Sequence, residues 1–449
     1  MKIKKDIQYN GKTYNFISDD SRDAIKHPNV LFVHTKQNTS FVDQIKTQNL
    51  DILQARDLKK YFKMTPKIIG ITGTNGKTTT AAIIYSILLD MGYKVALLGT
   101  RGFFANDKEI KPKGLTTPSI LELYEDIQYA SVLECEYFVM EVSSHAIEQD
   151  RIEGLEFVAK ILTNITSDHL DYHKTLEEYI RVKNSFFTDE GIKIINRDEN
   201  KALYNPINTY SYALNSKANL CVNAYSPKQG IQAHISWKEN LRENNCKETF
   251  INSPLYGVHN LYNILAAITC IKILTQKPLE NIAEALENFG GVSGRMEVIS
   301  ESPLIIVDFA HTHDGMKQIF ESFKSKNISV VFGAGGDRDK TKRPKMGECA
   351  ASYAQKLYIT SDNPRSEDPQ SIIEDILKGI PEHLSHSITT IVDRKKAIQK
   401  AIDDLDNEDV LLILGKGDET YQIIGTQKID FDDRKIIRDY LNKSKKGIK

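Results

Sequence analysis

The stretch Gly70-Ile71-Thr72-Gly73-Thr74-Asn75-Gly76-Lys77-Thr78-Thr79-Thr80 combines the parts that a polyphosphate needs. Apolar Ile68, Ile69 and Ile71 predict a short buried strand, the glycines a tight turn, and the run from Thr78 to Leu89 a helix. Backbone N–H groups, the positive end of the helix dipole and the Lys77 ammonium would then face the phosphates. The Thr78 hydroxyl would be placed to hold Mg²⁺. The pattern departs from G-x-x-x-x-G-K-[ST] at Ile71, which stands where the first glycine belongs. A Gly-rich turn without a ligand is the plain alternative, but strand, Gly-Lys-Thr and helix in this order favour a nucleoside triphosphate.

Further polar clusters follow apolar runs. Glu141, in Glu141-Val142-Ser143-Ser144-His145, and His169, in Thr163 to Asp171, supply an oxygen and an imidazole that could complete a metal site beside the phosphates. Lys183 sits among Tyr179, Val182, Phe186 and Phe187, and the residues alone favour an ordinary lysine with a buried stem. Asn260 and Asn263 share one face of a helix predicted over His259–Leu274. Later come Asp308-Phe309-Ala310-His311, Gly335-Gly336-Asp337-Arg338-Asp339-Lys340 with Lys342-Arg343, Asp362-Asn363-Pro364-Arg365, and Gly415-Lys416-Gly417-Asp418-Glu419. The 335–343 segment reads either as a solvated charged loop or as part of a site. Arg338 and Arg365 are suited to paired contacts with carboxylates, and Asp362 and Glu419 to receiving an ammonium. A cleft offering both charges suits an amino acid.

The elements that must position these residues read as α/β. After Pro66 strands and helices alternate, with apolar runs at Lys94–Leu98, Tyr137–Glu141 and Lys160–Leu162 and a helix over Leu176–Phe187. A second alternation has strands at Leu304–Val307, Ser329–Phe332, Lys356–Thr360, Ile388–Val392 and Val410–Leu414. Such alternation predicts right-handed βαβ units, with ligands outside the carboxyl ends of the strands. Residues 200 to 255 are strand-like and polar and resist ordering. Residues 1 to 65 hold short β-like pieces, such as Leu31-Phe32-Val33, and Ser21-Arg22 there is either a surface turn or a ligand contact. The expected organisation is a small N-terminal α/β domain over 1–65, a central P-loop-type domain with a mostly parallel sheet over 66–294, and a Rossmann-like doubly wound domain over 295–449.

At 449 residues the chain exceeds what one hydrophobic core usually serves. Lys+Arg 59 against Asp+Glu 60 leaves a net charge of -1, so no general field favours nucleic acid or anionic lipid. The five cysteines are scattered with no C-x-x-C, which suggests neither a disulfide framework nor a zinc site. No uninterrupted apolar run reaches the length of a membrane span. These features predict a cytoplasmic protein that binds no nucleic acid and does not insert in a membrane, with Lys443–Lys449 as a frayed basic tail.

Gly73 to Thr78, Glu141 to His145, Asn164 to His169, Gly294-Arg295-Met296-Glu297, Asp308 to His311 and Gly335 to Lys340 together resemble, in order, the Mur ligases, ATP-dependent amide-forming enzymes of peptidoglycan assembly. The resemblance implies ATP and Mg²⁺ as cofactors, with Gly73, Thr74, Asn75, Gly76, Lys77, Thr78, Thr79, Asn260, Asn263, Arg295, Asp308 and His311 around the nucleotide. It implies Thr78, Glu141, His169 and a carbamylated Lys183 as metal-holding groups, which reverses the plain reading of Lys183; Lys77, Glu141, His169 and Lys183 would be the catalytic set. Ser21, Arg22, Thr116, Thr117, Ser143, Gln149 and Arg151 would grip UDP-N-acetylmuramoyl-L-alanyl-D-glutamate. Asp362-Asn363-Pro364-Arg365 is similar to the signature for meso-diaminopimelate rather than L-lysine, with Arg338, Gly415 and Glu419 as further contacts. The implied chemistry is activation of the D-glutamate side-chain carboxylate as an acyl phosphate, followed by attack of the amine, in a monomer. The other readings are the L-lysine-adding and folate-glutamate members of the superfamily, an unrelated P-loop phosphotransferase and a non-catalytic ATP-binding regulator. Three features depart from the family pattern: Asp418 replaces the usual histidine, His313 a common proline, and the first 65 residues are short and lack a Gly-rich pattern.

Overall fold

The β-branched runs that flank the Gly-Lys-Thr stretch do become neighbouring strands. The computed structural model describes residues 1–446 apart from 228–229, 243–244, 384–387 and 407–408. Strand Lys67–Thr72 lies between Phe157–Leu162 and Tyr137–Glu141 and is parallel to both. Its three isoleucines are almost fully buried, and all three strands deliver their carboxyl ends to one edge. Parallel strands covered on both faces have this continuous apolar character. The helix Lys77–Asp90 starts at Gly76 immediately after the loop.

These strands form the middle of an eleven-stranded sheet. On one side Lys193–Asn196, Thr209–Ala213 and Leu220–Ser226 continue it in parallel, and Ile231–Trp237 and Lys247–Ser253 close it as an antiparallel meander. The polar residues 200 to 255 therefore hold ordered strands whose alternating exposure reflects one solvated face, which is why their apolar signal is weak. On the other side Val95–Gly99 is parallel to Tyr137–Glu141, followed by an antiparallel hairpin, Gly102–Ala105 and Lys108–Lys111, that the sequence pattern does not announce.

Helix Val258–Thr275 has the length and mean hydropathy, 1.3, of a membrane span, but most of it is buried. It packs against helix Lys77–Asp90 and the strands Lys193–Asn196 and Thr209–Ala213, which makes it the core helix of the central sheet.

The N-terminal residues form a four-stranded sheet, Lys2–Tyr9, Lys12–Ser18, Val30–His34 and Ile52–Gln54, antiparallel in its first pair and parallel in the rest. Ile3, Ile17, Leu31, Val33 and Leu53 form its core, joined by Leu121 and Tyr124 from helix Ile120–Val132. The third sheet has the order Glu297–Glu301, Leu304–Asp308, Val410–Leu414, Ile328–Phe332, Lys356–Ile359, Ile388–Thr390 and is parallel except at its first strand. Its helices cover both faces, as two separate apolar clusters show. The expected tail is otherwise: helix Asp433–Lys446 carries residues 443–446, and 447–449 lie outside the described residues.

Candidate active site

The loop after strand Lys67–Thr72 is laced to the neighbouring strand end. Thr74 N–H donates to the Asn164 carbonyl at 2.8 Å, and Asn75 N–H to Asn164 Oδ1 at 2.9 Å. Thr163 Oγ1 and Asn164 Nδ2 both donate to the Asn75 carbonyl, at 2.6 and 3.1 Å. Lys77 curls back over this loop, Nζ donating to the Gly73 and Thr74 carbonyls at 2.7 and 2.9 Å. Lys183, 1% exposed, donates to the same Gly73 carbonyl at 2.9 Å. Two amines thus share one acceptor. Burial holds Lys77 below the usual lysine range, and burial together with the Lys77 charge holds Lys183 far below it. Thr79 is buried in the first turn, and the neighbouring Thr80 hydroxyl reaches Asn263 Oδ1 at 3.3 Å. Asn263 Nδ2 in turn donates to Asn260 Oδ1 at 3.0 Å, so both asparagines lie against the helix start.

Glu141 is the junction between the loop and a polar chain on its far side. Its carboxylate accepts from Thr78 Oγ1 at 3.0 Å, from Thr100 N–H at 2.9 Å and from Thr100 Oγ1 at 3.2 Å. Thr100 Oγ1 lies 3.0 Å from Thr116 Oγ1, Thr117 Oγ1 donates to the Glu141 carbonyl at 2.9 Å, and Ser143 N–H donates to Thr117 Oγ1 at 3.0 Å. Arg151 donates to the Thr117 carbonyl at 2.8 Å and to Gln149 Oε1 at 2.9 and 2.6 Å. Thr116 and Thr117 from one stretch of the chain and Ser143, Gln149 and Arg151 from another therefore form one connected surface next to the loop. A cavity of about 370 Å³ opens beside Thr78 and Glu141, walled by Leu97, Phe104, Phe289 and Val292.

His169, with φ at +54°, begins the short helix Leu170–His173. Burial lowers its imidazole to about 4, against the raising effect of Asp168, so the ring is neutral at pH 7. Among the described residues no three His, Cys, Asp or Glu side chains converge as a ready metal-ligand set. The groups proposed to hold a metal are instead distributed around Lys77: Glu141 with Thr78, and His169 and Lys183, each within electrostatic reach of the ammonium. Carboxylate and hydroxyl oxygens beside a phosphate loop are the donor chemistry that Mg²⁺ takes.

Across from the loop, Arg295 stacks over Phe309, 4.4 Å from guanidinium to ring centroid, and the His311 ring meets Phe309 edge-on at 5.0 Å. Asp308 accepts from Met296 and Ala310 N–H, both at 2.7 Å, and burial pushes its carboxyl up despite Arg295. Three ion pairs the sequence pattern does not signal tie this side to the central sheet. Lys342 Nζ lies 2.8 Å from Asp168 Oδ1, and Asp418 lies 3.4 Å from Lys113 Nζ and 4.0 Å from Arg101 Nε. The solvated-loop reading of Lys342-Arg343 fails for a second reason: Arg343 is 1% exposed, forked onto Glu367 at 2.9 Å twice and onto Asp375 at 3.0 Å.

Arg365, at φ +51°, donates Nη1 to the Gly336 carbonyl at 2.7 Å, while Gly336 N–H donates to the Asn363 carbonyl at 2.9 Å. A side chain at position 336 has no room, since a Cβ would fall 1.8 Å from the Pro364 carbonyl oxygen. Arg338 and Arg365 both lie against Gly335. Asn363 Nδ2 donates to Glu419 Oε2 at 2.9 Å, and buried Lys416 reaches the same oxygen at 3.0 Å. Asp362 lies beside Gly415, where a Cβ would come 2.7 Å from Oδ2. Arg338, Asp362, Asn363, Pro364, Arg365, Gly415 and Glu419 are thereby brought together. Ser21 and Arg22 are not part of either cluster: Ser21 is buried at a helix start, and exposed Arg22 is forked onto its neighbour Asp20 at 2.9 and 2.5 Å.

Thr100 is a site neighbour that sequence reasoning passed over, and Asp168 and Lys416 lie in segments it quoted without giving those two residues a role. Thr100 follows strand Val95–Gly99 directly, so the strand-end rule could have found it.

Residues 71–271 match the family model for the Mur ligase middle domain, and 294–417 that for the Mur ligase glutamate ligase domain. A Helicobacter pylori protein named UDP-N-acetylmuramoyl-L-alanyl-D-glutamate--2,6-diaminopimelate ligase is 56% identical over 449 residues, all of both chains. A Wolinella succinogenes protein of the same name is 55% identical, over 94% of this chain and 95% of its own. A solved structure of that name has a TM-score of 0.67 at 27% identity, covering 98% of this chain and 97% of that one. A Yersinia pestis folylpolyglutamate synthase/dihydrofolate synthase, solved with AMPPNP and Mn, has a TM-score of 0.60 at 20% identity, over 80% and 88%; at that distance the likeness is one of fold.

Proposed function

The chain belongs to the Mur ligase family, and from that premise we propose how its residues divide the work. It is an ATP-dependent ligase of peptidoglycan precursor synthesis, adding 2,6-diaminopimelate to UDP-N-acetylmuramoyl-L-alanyl-D-glutamate. The proposal concerns the domain limits 1–65, 66–294 and 295–449, the residue roles, the meso form of the amino acid, and action as a cytoplasmic monomer.

The loop Gly73 to Thr79 holds the ATP phosphates with backbone N–H groups and Lys77, and Asn260, Asn263, Arg295, Asp308 and His311 hold the rest of the nucleotide. Thr116, Thr117, Ser143, Gln149 and Arg151 orient the muramoyl dipeptide, with Ser21 and Arg22 nearer the uridine. The D-glutamate side-chain carboxylate attacks the γ-phosphorus, the bond to ADP breaks, and an acyl phosphate results. The diaminopimelate amine then attacks the acyl carbon, loses a proton, and expels phosphate from a tetrahedral intermediate. Position and charge neutralisation carry such chemistry.

Mg²⁺, held by Thr78, Glu141, His169 and Lys183 as its carbamate, would neutralise charge on the transferring phosphoryl group. Lys183 has what carbamylation needs, a buried amine driven toward its neutral, nucleophilic form. Its nitrogen would bond to the carbon of CO₂ with release of a proton. The pairs Lys342–Asp168 and Lys113–Asp418 draw the third sheet's loops over the cradle, which favours exclusion of water from the acyl phosphate.

The observation that carries the choice of amino acid is Arg365, whose guanidinium is pinned to the Gly336 carbonyl two residues from Asn363, the hydrogen-bond partner of Glu419. Diaminopimelate differs from lysine by a distal carboxylate, and a site built around that arginine loses its partner with lysine. Phosphate release by the full chain with ATP, the UDP-dipeptide and a panel of amino acids tests this. Turnover with meso-diaminopimelate well above L-lysine is expected; equal or better turnover with L-lysine would overturn it.

A further inference from the structure

Below the amino-acid cluster lies a charge that none of these steps uses. Arg394, first residue of helix Arg394–Asp403, and Asp433, first residue of helix Asp433–Lys446, are both fully buried. They form a two-pronged pair, Nε to Oδ1 at 2.9 Å and Nη2 to Oδ2 at 2.7 Å. Nη2 also donates to the Leu414 carbonyl at 3.0 Å, the residue immediately before Gly415. Nη1 is buried and without a hydrogen-bond partner among the described residues. The carboxylates that act on this guanidinium after Asp433 are those of Asp362 and Glu419. Asp362 is also the group against which Gly415 packs. One buried cation therefore hydrogen-bonds the backbone immediately before Gly415, the glycine against which Asp362 packs, and its charge acts on both carboxylates of the amino-acid cluster.

A buried pair of this kind is weak evidence for a stabilising role. Desolvating two full charges offsets most of their attraction, and apolar residues of similar size commonly serve as well or better. This cation stands where its charge acts on two acids of the amino-acid cluster.

We infer that Arg394 is a positioning residue for the amino-acid substrate: it fixes the end of strand Val410–Leu414 and holds Asp362 and Glu419 in place as the acceptors of the substrate's ammonium. This rests on the assignment of Asp362 to Arg365 and Gly415 to Glu419 to diaminopimelate. Arg394 touches no substrate; it acts through the Leu414 carbonyl and the two carboxylates.

The test compares the full chain with Arg394→Lys and with the double variant Arg394→Met/Asp433→Leu, which removes both charges together and so strands neither. Steady-state phosphate release gives kcat and the KM of each substrate, and urea unfolding reports the fold. Losing one charge-assisted contact predicts a KM for diaminopimelate raised about tenfold in the Met/Leu variant, with kcat and the KM for ATP within about twofold. Arg394→Lys keeps the cation but not the fork, and a smaller rise of about threefold is expected. A folded Met/Leu variant with an unchanged KM for diaminopimelate, or equal changes in the KM for ATP, overturns the inference. If the Met/Leu variant does not fold, Arg394→Lys decides by the same criterion. Arg365→Ala, run beside them, separates the two ideas: an unchanged KM there removes the amino-acid assignment itself, whereas a raised KM there with unaltered Arg394 variants removes only the role of Arg394.

Discussion

Replacing Arg365 by Ala isolates the group proposed to choose between two amines. The backbone at this position is held independently of the side chain, by Arg365 N–H to the Ile423 carbonyl at 3.1 Å and Gly425 N–H to the Arg365 carbonyl at 2.7 Å. Alanine meets the same left-handed φ of +51° at a cost similar to arginine's, so the frame should survive. What goes is a guanidinium already pinned by the Gly336 carbonyl, so that little rotamer entropy remains to be lost on binding. A charge-assisted contact to a carboxylate contributes about 1.5–3 kcal/mol. That converts to a fall of about 10- to 150-fold in kcat/KM for diaminopimelate. L-lysine has no distal carboxylate, so its turnover should be unchanged or improved, and the ratio of the two carries the whole effect. Phosphate release with each amino acid at saturating ATP and UDP-dipeptide measures the ratio, and calorimetry checks that ATP binding is intact. Proportional losses with both amino acids, or an equal loss of ATP affinity, would refute the reasoning. Arg365→Lys should not restore the ratio, because an ammonium lacks the fork.

Lys183→Ala should lose most activity and regain part of it with millimolar short-chain carboxylates; full activity without them would rule out a carbamate. With the unaltered protein, ¹³CO₂ should give a bound carbamate signal that Lys183→Ala lacks. Burial lowers His259 to about 4, below its unfolded value of about 6.5. The unfolded chain therefore binds the proton first, and stability should decline as pH falls from about 6.5 toward 4, then level off. His259→Phe should flatten that slope in urea midpoints measured across the window. Glu367 is held at about 2 by the Arg343 fork, with help from Asp337 N–H and Lys340. Its contribution is complete above about 4.3 and lost as pH falls toward 2. Glu367→Gln should therefore unfold at higher pH in an acid titration, and cost about 1–3 kcal/mol at pH 7 by leaving half of a buried guanidinium fork weakly paired.

The strands and cradle were legible because parallel strands buried on both faces announce themselves as unbroken apolar runs, as at Ile68 to Ile71 and Val410 to Leu414. The hairpin Gly102–Lys111 and the strands between residues 209 and 253 were not, because Gly102–Ala105 is too short to show a period and Lys108–Lys111 and Leu220–Ser226 are polar and partly exposed, with a composition that resembles loop. The motifs at the strand ends picked out residues that the fold does bring together, as with Thr78 and Glu141 or Asn363 and Glu419, since chemistry restricts residue type there. The burial of Arg343 and Arg394 could not be read this way. Nothing in local spacing distinguishes a solvated arginine from one enclosed by carboxylates such as Glu367 and Asp433, which come from elsewhere in the chain. Lys183 shows the same limit from the other direction: its neighbours read as core, and only the fold reveals that its amine meets the Gly73 carbonyl beside Lys77.

Gly336 interlocks with the segment proposed to read the substrate: its N–H, its α-carbon and its carbonyl engage Asn363, Pro364 and Arg365 in turn. Asp362 to Arg365 is therefore not a portable cassette. Grafted alone into a lysine-adding relative, the four residues would bring the arginine without the carbonyl that aims it, and in a loop with a β-carbon at the position of Gly336 they could not seat. Exchange of amino-acid preference between such enzymes requires both loops to move as one unit.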